Sequence, residues 1–88
     1  MKIIKSPNAS KKYRAIFDDG KHTDFGAAGY EDYISSGSEV KKNAYIARHK
    51  ANENWHDAHS AGALSRFVLW NLPTFRASVA DYKKRFGL

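Results

Sequence analysis

Apolar positions recur along this chain with two different periods, and the change of period divides it. The early part alternates. Lys11–Phe17, KKYRAIF, and Lys21–Phe25, KHTDF, carry the Tyr, Ile and Phe side chains that suit a pleated surface. The Asp18-Asp19-Gly20 signal between them predicts a hairpin. Two registers compete. A two-residue Asp-Gly turn pairs Phe17 with His22, whereas a three-residue loop with Gly20 left-handed in a bulge pairs Phe17 with Lys21 and Tyr13 with Phe25. The second is favoured because it gathers Tyr13, Phe17 and Phe25 on one face, and such a face fixes the register of a period-2 strand. Upstream, Lys2–Lys5 reads as a further short strand that Ser6-Pro7-Asn8 breaks.

The later part follows helical spacing. Gly26 and Gly29 suggest a tight turn into a short helix carrying Tyr30, Tyr33 and Ile34. Ser38 is an N-cap with Glu39 in the first turn, and the helix it opens runs to about Lys50. Val40, Ala44 and Ala47 or Ile46 mark its inner side, Tyr45 and His49 form a neighbouring stripe, and Lys41, Lys42 and Arg48 face out. Ser60 caps a third helix that reaches Trp70. Leu64, Phe67, Val68 and Leu69 make it apolar nearly all round, which predicts a central, buried position. Asn71-Leu72-Pro73 stops it. Thr74 caps the last helix, whose stripe is Phe75, Val79, Tyr82 and Phe86, and Gly87 ends it in the left-handed conformation. The sum is one α+β domain over residues 1–88: a small N-terminal antiparallel β-hairpin followed by three or four short helices.

Composition narrows the chemistry. The chain has no Cys, so it has neither a disulfide nor a thiolate metal site, which suits a reducing compartment. Five Phe, five Tyr and two Trp supply a small aromatic core instead. The net charge of +6 points to nucleic acid, anionic lipid or an acidic protein as partner. The acids concentrate early, whereas Lys41–Lys50 carries four bases and no acid, and from His59 to the end Arg66, Arg76, Lys83, Lys84 and Arg85 stand against Asp81 alone. No apolar run approaches the ~20 residues of a membrane span, and MKIIKSPNASKK lacks the apolar core of a signal peptide. A mature, soluble, non-secreted chain is expected.

RHKANENWHDAH, Arg48–His59, holds three of the four histidines. His56 and His59, three apart, could grip a metal on one helix face with His49 and Asp57 or Glu53. Against that, Asp57 would point away from them, and the helix-embedded His-Glu-x-x-His pattern is missing. No paired carboxylates and no nucleophile–base arrangement stand out either. The glycines at 26 and 29 lack the spacing and the Gly-Lys-Ser/Thr ending of a phosphate loop. The expectation is therefore no enzyme, no catalytic residue, no metal and no cofactor. The segment reads as a hydrogen-bonded corner pinned by Trp55, whose indole N–H wants an acceptor.

Three stretches, HTDFGAAGYEDY (His22–Tyr33), KKNAYIARHKANENW (Lys41–Trp55) and LSRFVLWNLPTFRASVADYKKRF (Leu64–Phe86), together resemble a small uncharacterised family from large nucleocytoplasmic DNA viruses, including algal viruses. The resemblance covers most of the chain and brings no catalytic residue with it. It implies a viral setting, with assembly in the host-cell cytoplasm and a final place in the virion. Small basic Cys-free domains there often act as minor capsid proteins beneath a lattice of major capsid protein. The expected partners are then major capsid protein and other minor capsid proteins, with self-association in the shell. Arg14, Lys41, Lys42, Arg48, Arg66, Arg76, Lys83, Lys84 and Arg85 would meet acidic patches, and rings from Tyr30, Tyr33, Tyr45 and Trp70 would fill partner pockets. The alternative is a non-specific nucleic-acid-binding module. In it the last two helices, joined at Asn71–Thr74, resemble a helix-turn-helix pair, with Arg76 and Lys83–Arg85 on phosphates and Ser78 the polar side chain near the second helix's start.

Overall fold

The computed structural model describes residues 1–88. The sheet has three antiparallel strands in the order β1-β2-β3: β1 (Lys2–Lys5), β2 (Lys11–Ile16) and β3 (His22–Ala27). Tyr13 lies opposite Phe25, and the Phe17 N–H donates to the Lys21 carbonyl at 2.9 Å. Gly20 closes the three-residue loop at φ 85°. The favoured register is thus the one formed. β1 widens the expected hairpin into a sheet, because Ile3 falls opposite Ala15 and extends the inner face made by Tyr13, Phe17 and Phe25.

Helices cover that face. α1 (Tyr33–Ser36) is closed by a capping box between Asp32 and Ser35. α2 (Glu39–His49) is capped by Ser38, α3 (Ala61–Leu64) by Ser60 and α4 (Phe75–Phe86) by Thr74, each hydroxyl accepting from an amide three residues on. These are the expected caps, and Gly87 ends α4 at φ 67° as its position predicts. The core is Ala15, Phe17 and Phe25 from the sheet side, Ala63, Leu64, Val68 and Leu69 from the central helical segment, and Tyr82 from α4.

Three expectations need correction. Beyond Leu64 the central helix is not α-helical: Ser65–Leu69 form a π turn, in which the Trp70 N–H reaches back to the Ser65 carbonyl at 3.0 Å. A segment apolar nearly all round has several neighbours to serve. Val68 and Leu69 join the core, Phe67 meets Trp55 and Phe86, and Trp70 meets Tyr45; the wide turn shifts the side-chain phase between them. The second correction concerns α2. Its buried residue is Tyr45, while Val40 is 80% exposed and Ala44 and Ala47 are also exposed. One large ring stacked on Trp70, with centroids 4.7 Å apart, buries more area than a stripe of alanines, so it sets the helix's rotation. Third, the short helix after the glycines starts at Tyr33, leaving Tyr30 outside it and 74% exposed, and Gly26 belongs to β3.

Candidate interaction surface

The fold uses its acids internally. Asp24 holds Arg14 at 2.8 and 3.1 Å, Asp32 holds Lys12 at 2.7 Å, and Glu31 pairs with Lys41. Glu39 accepts from the Tyr33 hydroxyl at 2.7 Å, Glu53 meets His49, and Asp19 meets His59. Asp57 accepts from the His59 amide, and Asp81 is shared by Asn71 and Arg85. Exposed Asp18 accepts from the N-terminal ammonium at 3.1 Å, so every side-chain carboxylate is engaged with a charged group, a side chain or a nearby amide. Among Lys and Arg, only Lys12, Arg14, Lys41 and Arg85 pair with a carboxylate. The unpaired charge is therefore cationic.

The residues expected to meet partners lie in different parts of the fold. Arg14 is half-buried, and its bidentate pair draws the Asp24 carboxyl below the usual carboxylate range while raising its own pKa. Arg66 lies partly inside. Its guanidinium donates to the Trp70 carbonyl at 2.8 Å, packs over Trp55 and Phe67, and is lowered in pKa by burial. Lys42 does not face out as expected: it reaches the Asn71 carbonyl at 2.7 Å and sits over the Tyr33 ring. Tyr33 and Tyr45 are 8% and 7% exposed, which corrects the expectation that their rings reach partners. Burial holds the Tyr45 hydroxyl at a pKa of about 12. Tyr30 is exposed and Trp70 half-buried. Of the cations expected to meet partners, Arg48 on α2 and Arg76, Lys83 and Lys84 on α4 are free, with Arg85 tied to Asp81 and stacked over Phe67.

Ser78 is fully buried and exchanges hydrogen bonds with the Leu72 backbone. That removes the polar side chain which the helix-turn-helix reading needed for bases. The histidines also disperse. His49 pairs with Glu53, His59 packs on Phe17 with centroids 4.0 Å apart, and His56 is exposed. No three His, Asp or Glu groups converge in a geometry that could hold a metal ion. Arg48–His59 does form a bonded corner: the Ser60 hydroxyl donates to Asn54 and Asp57 carbonyls, and Tyr82 and Thr23 hydroxyls donate to Ala58 and His59 carbonyls at 2.6 Å. Trp55 edges onto Phe67, but its buried Nε1 has no hydrogen-bond partner, contrary to expectation.

Three hollows border the free cations, and two of them are built by the sheet and a helix together. One, of about 280 Å³, separates α2 from the end of β3 and includes Arg48, His49 and Trp70. The other, of about 510 Å³, is an open groove between β1 and α4. Its apolar walls are Ile3, Phe75, Val79 and Ala80, and Lys2, Arg76 and Lys83 stand at its rim. Lys2 and Ile3 were not among the expected surface residues. The signal available for them was the KIIK pattern, with lysines at both ends of a short strand, a common mark of a sheet edge.

Neither the curated proteins nor the solved structures give a match to this chain. Residues 1–49, from the sheet to the end of α2, match a family described as "Family of unknown function (DUF5754)". The match takes in more than half of the sequence, and the chain belongs to that family.

Proposed function

We propose that this protein is a minor structural component of a virion, which cements capsid subunits by binding acidic surfaces of partner proteins. The observation that carries the binding part is the one-sided use of charge: the carboxylates are engaged within the fold, and Arg48, Arg76, Lys83 and Lys84 are not. Electrostatic complementarity of that kind steers and orients a partner. The viral part is supported by the resemblance of the three stretches from His22 to Phe86. A cement role also tolerates a small core, here 13 buried residues of 88, because partner contacts stabilise the fold by mass action. The test is fractionation of purified virions. The chain should be present in stoichiometric amounts and remain with the emptied shell. Its absence, or its departure with the DNA, overturns the reading.

A non-specific nucleic-acid-binding role is the second reading, favoured by the unpaired Arg76, Lys83 and Lys84 on one helix. It demands a log–log salt slope of about −0.9 per phosphate contacted on duplex DNA. A capsid cement should give a shallow slope.

A further inference from the structure

β1 is an edge strand, with β2 on one side and no strand on the other. The Ser6 N–H donates to the Lys12 carbonyl, and Ile4 and Lys2 lie opposite Arg14 and Ile16. In an antiparallel ladder the bonded side alternates. Lys2, Ile4 and Ser6 therefore turn their backbone groups toward β2, and Ile3 and Lys5 turn theirs to the open edge. The groove between β1 and α4 lies beside that edge, with Ile3, Val79 and Ala80 apolar in its walls and Lys2, Arg76 and Lys83 around it. None of these three cations pairs with a carboxylate.

We infer that this groove takes an extended acidic segment of a partner protein, added to β1 as a fourth strand. Its backbone would bond the Ile3 and Lys5 groups, an apolar side chain would lie against Val79, and its carboxylates would meet Lys2, Arg76 and Lys83. The inference rests on the reading that the cationic surface binds protein, and it names the place and the ligand chemistry. Three features select this occupant. An open strand edge offers alternating N–H and C=O groups, which match a peptide backbone and not a phosphodiester. The one aromatic ring in the walls, Phe75, already stacks on Tyr13 with centroids 4.9 Å apart, and the aliphatic side chains beside it suit an apolar side chain and give nucleobases little to stack on. A second copy added at this edge would bring its own unpaired Lys2, Arg76 and Lys83 to the same groove, and cation would face cation.

The test is an amide NMR titration of the full chain with a short peptide in which Glu alternates with Val. Binding should shift the Ile3 and Lys5 amides and the Phe75–Lys83 stretch of α4. Replacing Glu by Lys in the peptide should abolish binding. N-methylating the peptide on the amides that face β1 should weaken it about tenfold or more, since it removes strand bonds without altering the protein. The R76E/K83E double variant changes side chains at the groove rim, and it should also lose about tenfold with its remaining amide spectrum unchanged. Absence of peptide binding overturns the proposal, as does binding that ignores N-methylation or shifts confined to α2. Concentration-dependent shifts at β1 without peptide, or duplex DNA displacing the peptide from β1, also overturn it. Binding of the R76E/K83E variant to emptied shells separates the two levels. Retained but salt-sensitive shell binding removes the groove and leaves the capsid reading. Peptide binding by a chain that has no affinity for shells removes the capsid reading and leaves the groove.

Discussion

Tyr82 joins three parts of the molecule at one side chain. Its ring is fully buried in the core, and its hydroxyl holds the Ala58 carbonyl, so α4 is bonded to the corner before α3. Tyr82→Phe should cost about 1 kcal/mol in urea unfolding, the usual value of one such bond. Tyr82→Ala should cost about 3–5 kcal/mol, because it also leaves a cavity. Asp24 sets a pH dependence. Its pKa is lowered by the hydrogen bonds and charge of Arg14, so its contribution is fully present above the ordinary carboxylate pKa and is lost as pH falls toward the folded value. Acid unfolding of Asp24→Asn should therefore show a shallower loss of stability below about pH 4 than the parent. Tyr45 works at the other end of the scale. Its pKa, raised by burial to about 12, makes stability fall as pH rises above the ordinary tyrosine value, and Tyr45→Phe should flatten that alkaline limb.

Elements differ in how firmly they are held. Gly26, inside β3, has φ 80°, and a Cβ there would lie 2.8 Å from Leu69 Cδ1 and 3.3 Å from Lys12 Cβ. Gly26→Ala should destabilise by about 2 kcal/mol or more, from the left-handed backbone and the overpacking together. Ser60→Ala and Thr74→Ala each remove one cap and should cost about 1 kcal/mol in thermal or denaturant unfolding. The caps, the Gly20 loop and the Gly87 stop were legible in the sequence because each depends on residues within one or two turns. The rotation of α2 was not, since the spacing of Val40 and Ala44 carries no information about Trp70, the ring that Tyr45 finds across the molecule. The π turn was hidden for the same reason. It reconciles contacts with Trp55, Phe86, Tyr45 and the sheet, none of which Ser65–Leu69 announces. With Tyr45 as its one buried side chain, α2 should also exchange its amides faster than α4, which hydrogen-exchange measurement will show.

The whole molecule is compact, with a radius of gyration of 12.1 Å, close to the value that about 2.2·N^0.38 gives for a folded chain of this length. Its burial is nevertheless small, so binding to a partner should raise its melting temperature in a concentration-dependent way. By itself the order of amino acids determined the alternating strands, the hairpin register, the caps and the helix stops, and the excess of positive charge, because each is a property of near neighbours or of the sum. Only the tertiary structure decided which cations are free, which rings are buried, and that Lys2 of the first strand stands across a groove from Arg76 and Lys83 of the last helix. Those outcomes depend on which distant residues meet, and the meeting is governed by the area that Tyr45, Trp70, Phe25 and Tyr82 bury together.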